Sequence, residues 1–498
     1  MHRFFSTTLP PLPLLLWETP PGLELILAQE GAAFARVRDP HSLAFQGGRF
    51  VLYDGRRVSA AKLRATLTPD HVPLDVDLLR GEERADPFQA LIDVRGQEAT
   101  WRIAGRDLTE RVARVPKARL RRLLIGRLRH AVTRAGGLWA RLAAFPYPYQ
   151  SALNFRADLD EPVVEDYARF ARMRPTVADC CTHFVSTHAY GEHPAVLQDL
   201  LRFDTQSHAH YHVIYRDAEA NRRNLVRAHE ILTASGFEPV GFAAPHGRWN
   251  AGLDAVLEEL GYRYSSDFQL DYDDLPFFPW RDDRFSKVLQ VPIHPICEGL
   301  FLETGIGDGR VIADYLAGIV RAKVEAREPA FVYGHPERRL GRLPEVLAAL
   351  GRAISGDAPI WRVTLTEFAR WWRWRAGRRW SVLTKPEGQL EVQFDDWDAT
   401  FPLGLEVVRG QHVSTVPVTG PRMPLRLEDL AYERRDVPPH LPEPVPAPRS
   451  TCLRTAVRQA LDWETVTPLH DLPATTLSAR AKKGLRWWRH GRRTEAAR

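Results

Sequence analysis

Between Ser151 and about Trp374 the chain repeatedly alternates a short apolar run with a longer amphipathic stretch. No other feature of the sequence restricts its fold as much. Leu153 to Ala157, Cys181 to Ser186, Gly241 to Ala244, Val288 to Ile293, Ala330 to Tyr333 and Trp361 to Thr364 read as strands. Asn221 to Ser235, Gly252 to Leu260, Ile312 to Ala326 and Leu343 to Ile354 read as helices between them. Parallel strands need long crossover connections, usually helical, so this order predicts an α/β barrel or a doubly wound sheet. In such folds the chemistry gathers at the carboxyl ends of the strands. Nearly every candidate strand here runs into a His, Asp or His-Pro segment.

The flanks read differently. A chain of 498 residues exceeds one ordinary core, so two or three domains are expected. Residues 1–148 read as an α+β region with no catalytic constellation. Within it Arg49 to Tyr53 alternates, Asp54-Gly55 turns and Arg57 to Ala60 resumes, which predicts a hairpin, with a helix over Ser59 to Leu67. Residues 108–142 read as one basic amphipathic segment, with Leu120, Leu123, Leu124 and Leu128 on one face and Arg121, Arg122 and Arg129 elsewhere. Pro146 and Pro148 mark the start of a central domain, 149–376. Residues 377–435 read as a small β unit. Its strands are Leu390 to Phe394, Leu403 to Val408 and His412 to Val418, with turns at Glu387-Gly388 and Arg409-Gly410. Residues 436–498 read as a proline-rich linker followed by a basic tail.

The net charge of +6 is concentrated in Lys117 to Arg141 and Arg480 to Arg498. In the tail, arginines and lysines surround Trp487-Trp488, a composition suited to peripheral contact with anionic lipid as well as to a solvated face. The modest charge and the lack of a recognition motif argue against nucleic acid as a partner. The four cysteines, Cys180, Cys181, Cys297 and Cys452, form no CxxC pair and no disulfide framework, which fits a reducing compartment. Prolines break the apolar run Leu12 to Trp17 and Glu18 closes it, so it is too short for a signal peptide or a spanning helix. The expected location is the cytoplasm, with association at a membrane surface as the variant of it.

The residues with chemistry lie in the central domain. Asp158 and Asp160 follow an apolar run and can point into one cleft if the chain turns there. His208 and His212, four apart, share a face if they sit on a helical turn, and His210 would then point elsewhere. Two imidazoles and one carboxylate leave open positions on a metal, as in catalytic rather than structural sites. Such an ion lowers the pKa of water and polarises a carbonyl. A second carboxylate can accept the water proton, and a histidine opposite can protonate a leaving amine. His335 and His294, each after an apolar run, are the candidates for that acid.

Four segments in order resemble the motifs of the polysaccharide deacetylases of the NodB-homology type, the family 4 carbohydrate esterases. Asn154 to Glu161 is similar to the first motif in its D-x-D form, and Cys181-Thr182-His183-Phe184-Val185 to the A-T-F-F-V strand. Asp204 to His212 is similar to E-I-x-x-H-x-x-x-H, and Gly241 to Gly247 to G-F-R-x-P-Y-G. Gly261 to Asp267 and Val363 to Phe368 follow at the usual places, so the likeness spans about residues 150–375. It implies a distorted (β/α) barrel of about seven strands and an acetyl-removing hydrolase acting on a carbohydrate, dependent on one divalent metal, most plausibly zinc. It implies Asp158 as general base and His335 as the best match for the acid. Asp160, His208 and His212 become the metal ligands. Pro245, His246, Gly247, Arg248 and Asp267 border the substrate, with the His246 backbone N–H as an oxyanion donor. The chain departs from the pattern at Ala243, where the family has an arginine that orients the base. Arg156 and Arg248 are the candidates to replace it. It also departs at Ala209 and His246. These changes keep two further readings open: hydrolysis of a small non-sugar amide, as in relatives acting in purine degradation, and an inactive carbohydrate-binding barrel.

Overall fold

The computed structural model describes residues 10–39, 48–81, 85–353, 359–385, 389–435 and 441–447. Its centre is the strand Ser151–Leu159, buried at every position. Both sides of that strand are paired. Pro329–Gly334 runs parallel to it on one side. On the other, Ile360–Arg362 pairs with its first residues and Cys181–Val185 with its last. The sheet continues through Asp204–Ser207, Gly241–Ala243, Tyr264–Ser266 and Leu289–Gln290, all parallel. Beyond that last strand the His294 N–H donates to Phe331 O at 3.0 Å. The two edges therefore meet, and the sheet curls into a distorted (β/α) barrel with eight participating strands.

The helices lie close to the expected spans, at Ala218–Ala234, Ala251–Glu259, Gly309–Glu325 and Pro344–Ala353. Asp217, Asn250 and Asp308 cap the first three by accepting backbone N–H groups left unpaired at a helix start. Two strands escaped the sequence reading, Asp204–Ser207 and Tyr264–Ser266. The first has no aliphatic residue, yet its side chains are satisfied inside the fold. Gln206 Oε1 accepts from the N–H groups of Val240 and Gly241 at 2.9 and 2.7 Å.

The N-terminal hairpin expected at 49–60 does not form. Phe50–Tyr53 pairs in parallel with both Leu14–Trp17 and Val72–Asp75. The Asp54 carbonyl accepts from Arg57 and Val58, and Ser59 caps the helix Ala60–Thr66 through the Lys62 N–H. The turn thus feeds a crossover helix, and the region is a four-stranded parallel sheet. The basic segment 108–142 also divides. Arg106–Ala113 is a strand antiparallel to Gly96–Ile103, Lys117–Arg134 is a helix, and Trp139–Leu142 is a strand. Leu124 and Leu128 are buried in the core, but Leu123 is 41% exposed.

Arg121 is inside, not on the solvent face. Its Nε and Nη2 donate to Asp274 Oδ1 at 2.9 and 2.7 Å, and Nη1 donates to Glu30. Asp274 belongs to the barrel's long loop after Tyr264–Ser266, so this ion triplet fastens the N-terminal sheet to the barrel. The flanks are joined further by strand pairing. Trp139–Leu142 pairs with Leu403–Arg409, which in turn pairs with His412–Val418 across Gly410. Part of the proline-rich stretch also docks instead of linking. Val445–Pro446 pairs with Ala99 and Thr100, and the Trp101 indole donates to Pro442 O at 3.1 Å. The expected turn at Glu387-Gly388 and the basic tail with Trp487 and Trp488 lie outside the described residues. No described helix is long and apolar enough to cross a membrane.

Removing one partner of a buried ion group strands the others without compensation, at a cost of about 3–5 kcal/mol. We expect Arg121→Met to lower unfolding stability by an amount of that order in denaturant titration. A midpoint and slope equal to those of the parent would show that the Glu30–Arg121–Asp274 group does not hold the two parts together.

Candidate metal centre

Asn154, Arg156 and Asp158 alternate along one face of the Ser151–Leu159 strand, and all three are buried. Arg156 grips Asp158 with both arms, Nε to Oδ1 at 2.8 Å and Nη2 to Oδ2 at 2.5 Å. Its remaining arm donates to Ser266 O at 2.7 Å, across the barrel at the end of another strand. The guanidinium carbon lies 4.8 Å from the centre of the Tyr333 ring and 5.7 Å from that of Phe184. Burial pulls the Arg156 pKa down, but the Asp158 carboxylate outweighs it and the net shift is upward. Of the two candidates for the charge missing at Ala243, Arg156 is therefore the one that reaches Asp158.

The segment His208 to His212 is not a helical turn. It is a loop leaving the Asp204–Ser207 strand, with Ala209 in the left-handed region at φ 64°. Asn224, on the helix Ala218–Ala234, braces that loop by accepting from Tyr211 N at 2.7 Å and donating to Tyr211 O at 3.1 Å. The loop still brings both imidazoles to Asp160. His208 Nε2 lies 3.2 Å from Oδ1 and His212 Nε2 3.4 Å from Oδ2. The three ligand atoms lie within 4.8 Å of one another. His210 points away as expected and pairs through Nδ1 with the Thr187 hydroxyl at 2.9 Å.

These groups fit a divalent cation. His208 Nδ1 lies 2.7 Å from the Ala243 carbonyl, which can only accept, so Nδ1 carries the hydrogen. In the neutral ring Nε2 then presents a lone pair to Asp160, and an outer carbonyl fixing the tautomer is the usual support of a metal-binding histidine. Asp160 Oδ1 is sealed from solvent with no hydrogen-bond donor. Burial, against the pull of Asp160 and helped by the push of His208, lowers His212 to about 4, which keeps it in the neutral form a metal requires.

His335 follows the Pro329–Gly334 strand and leans over the same cluster, with Nε2 3.6 Å from Asp160 Oδ2. Glu298 Oε1 accepts from its backbone N–H and pairs with Nδ1, both at 2.8 Å. Burial and the Arg339 guanidinium press this imidazole down, but Glu298 and Asp160 raise it well above its ordinary value. His294 is not brought into the cluster. Its chain is committed to closing the barrel against Phe331, and its two ring nitrogens meet Asp273 Oδ2 at 2.9 Å and the Tyr315 hydroxyl at 3.1 Å.

Pro245, His246 and Gly247 form a tight turn at the end of the Gly241–Ala243 strand, with His246 and Gly247 both at φ 57°. A Cβ on Gly247 would stand 2.3 Å from the Phe268 ring, so only glycine fits there. The His246 ring lies 4.7 Å from that of His212. Arg248 is half-buried just beyond. Asp267 does not face the cleft. It is fully buried and braces the turn from beneath, accepting from Ala244 N at 3.1 Å and Ser265 Oγ at 2.9 Å. The sequence reading missed Glu298, whose signal was its place directly after the apolar run ending at Cys297. It also missed Glu337, two residues past His335, which is buried, accepts from the Tyr190 hydroxyl and is pushed up to about 8 by burial.

No family profile matches the chain, and no curated protein matches it. Among solved structures, a "probable polysaccharide deacetylase" from Pseudomonas aeruginosa PAO1 is 20% identical over 47% of this chain and 94% of its own, with a TM-score of 0.39. PuuE allantoinase is 20% identical over 48% and 95%, with a TM-score of 0.40. A family 4 carbohydrate esterase from Streptomyces lividans, solved with acetate, is 11% identical over 43% and 92%, with a TM-score of 0.30. The likeness is one of fold, to polysaccharide deacetylases and family 4 carbohydrate esterases.

Burial raises the Asp267 carboxyl to about 7, against the Ser265 hydroxyl and the Arg156 guanidinium, which favour its charge. The folded chain therefore holds a proton above the ordinary carboxylate range. Its stability falls as pH rises from about 4 towards 7 and is level beyond. Asp267→Asn keeps an acceptor for Ala244 and carries no charge. In thermal melts we expect this variant to exceed the parent at neutral pH, with the gap closing as pH falls to about 4. Parallel curves for the two proteins would remove Asp267 as the source.

Proposed function

We propose that this chain is a metal-dependent hydrolase that removes an acetyl group, in the first instance an N-acetyl group, from a carbohydrate. The observation that carries the reading is the meeting of Asp160, His208 and His212 in one cluster, with His335 3.6 Å from the same carboxylate. Asp158 stands two residues before Asp160 on the same strand end. Two imidazoles and a carboxylate suit zinc. Held there, a divalent cation supplies Lewis acidity that polarises an acyl carbonyl and acidifies water.

The other steps belong to side chains of this chain. Asp158 is the general base, and the bidentate Arg156 fixes its orientation. His335 is the general acid: Glu298 aims its ring, and its raised basicity keeps a proton for the departing amine nitrogen. The backbone N–H of His246 serves as the oxyanion donor, a role supported by its left-handed turn and by its ring lying 4.7 Å from that of His212. Pro245, Gly247 and Arg248 border the substrate, and Asp267 supports them from below. The cysteine pattern favours a cytoplasmic setting, hence a soluble or lipid-linked sugar over a finished wall polymer.

Purified protein is expected to carry about one divalent cation per chain, read by elemental analysis. Asp160→Ala and His208→Ala should each lose it. Asp158→Asn should keep the metal and lose roughly a hundredfold or more of acetate release, the usual scale for a removed general base. Unchanged metal content in both ligand variants, or near-parent turnover in Asp158→Asn, would overturn the assignment.

A further inference from the structure

The hairpin of Gly96–Ile103 and Arg106–Ala113 has one buried face. Strand alternation and the cross-strand register put Ala99, Trp101, Leu108 and Val112 on it. Glu110 stands on the same face, opposite Ala99 and between Leu108 and Val112. A carboxyl set among apolar neighbours costs free energy unless something there answers it.

That face is turned towards the barrel. The Trp101 ring meets that of Tyr272 edge-on at 6.1 Å, and Ala113 N donates to Phe268 O at 3.2 Å. Tyr272 and Phe268 both belong to the long loop after Tyr264–Ser266. The strand Arg106–Ala113 also packs against the helix Glu298–Glu303, whose first residue aims His335. From Phe268 the path to the cluster is short. Its ring lies 5.9 Å from that of Tyr333, which lies 5.6 Å from that of His335.

Glu110 is therefore at the rim of the metal cleft and not in a remote core. It is half-buried, and one of its oxygens accepts from Arg111 N at 2.7 Å. Burial raises its carboxyl to about 8, against the Arg111 N–H; Glu98 and Glu303 add to the rise and Arg248 opposes it. Arg248 belongs to the same rim, just past the His246 turn. Burial, then Cys297 and Glu110, hold the Tyr333 phenol well above its ordinary value. A carboxyl that keeps its proton at neutral pH offers a donor as well as an acceptor, which suits the hydroxyl of an uncharged sugar.

We propose that Glu110 is a substrate-contacting residue: the N-terminal hairpin carries its carboxyl to the rim of the metal cleft, on the side of Arg248, where it hydrogen-bonds a ring hydroxyl of the acetylated sugar. The proposal rests on the deacetylase reading. It makes the N-terminal region one wall of the site, so the barrel by itself is incomplete.

The test is an NMR titration of the full-length, metal-loaded Asp158→Asn protein, with N-acetylglucosamine and its singly deoxygenated analogues as probes. Adding Glu110→Ala should weaken binding of N-acetylglucosamine about tenfold, the scale of one lost hydrogen bond. Without that substitution, removing one particular hydroxyl from the sugar should cost about as much; with it, the same removal should cost nothing. Glu110→Leu, which suits the apolar face, should behave as Glu110→Ala does and guards against a loosened hairpin. Metal content and melting temperature should hold in both. No binding of N-acetylglucosamine, unchanged binding in both variants, or a hydroxyl dependence that survives both would overturn the contact. Acetate release by the parent protein is scored separately. Release with no Glu110 dependence of binding sinks the contact alone. Glu110-dependent binding with no release sustains the contact and sinks the deacetylase reading.

Discussion

A guanidinium cannot be buried at the centre of a barrel unless its charge is answered there. Arg156 meets that demand with Asp158, and much of the site follows from it. The pair spends both arms of the carboxylate contact on orientation, and the third donor reaches Ser266 O on a strand that is not a neighbour. The aromatic rings of Phe184 and Tyr333, from two further strands, close over the cation. Four strands thereby converge on one charged group. The strand carrying Arg156 goes on to deliver Asp160 where His208 and His212 arrive.

That arrangement explains which parts were legible in the sequence. Long periodic helices and aliphatic strands announced themselves, because burial on both faces selects apolar runs. Asp204–Ser207 did not, because its burial is satisfied by side-chain hydrogen bonds that no window of hydrophobicity registers. The spacing of His208 and His212 predicted their convergence correctly but for the wrong local reason. A loop bent at Ala209 brings the rings together as well as a helix would, and four-residue spacing does not distinguish them. Partners distant in sequence were the hardest to see. Glu298 reaches His335 across 37 positions, and Asp267 looked like a rim residue, whereas one of its oxygens accepts from Ala244 N and the other from Ser265 Oγ.

The N-terminal errors share one cause. Asp54-Gly55 has the composition of a hairpin turn, yet the next residues cap a helix, and the strand finds parallel partners on both sides. Arg121 read only as lying off the leucine face, because its two carboxylate partners lie in other segments of the chain. In both cases tertiary pairing overrode a sound local signal.

The flanks also hold each other. Trp139–Leu142 completes a sheet begun by residues after 400, and Val445–Pro446 lies along a strand that precedes residue 105. Each end therefore covers a backbone edge that the other would leave unpaired, and unpaired edges invite association with foreign strands. A recombination that exchanged only one flank would leave the other's sheet edge open.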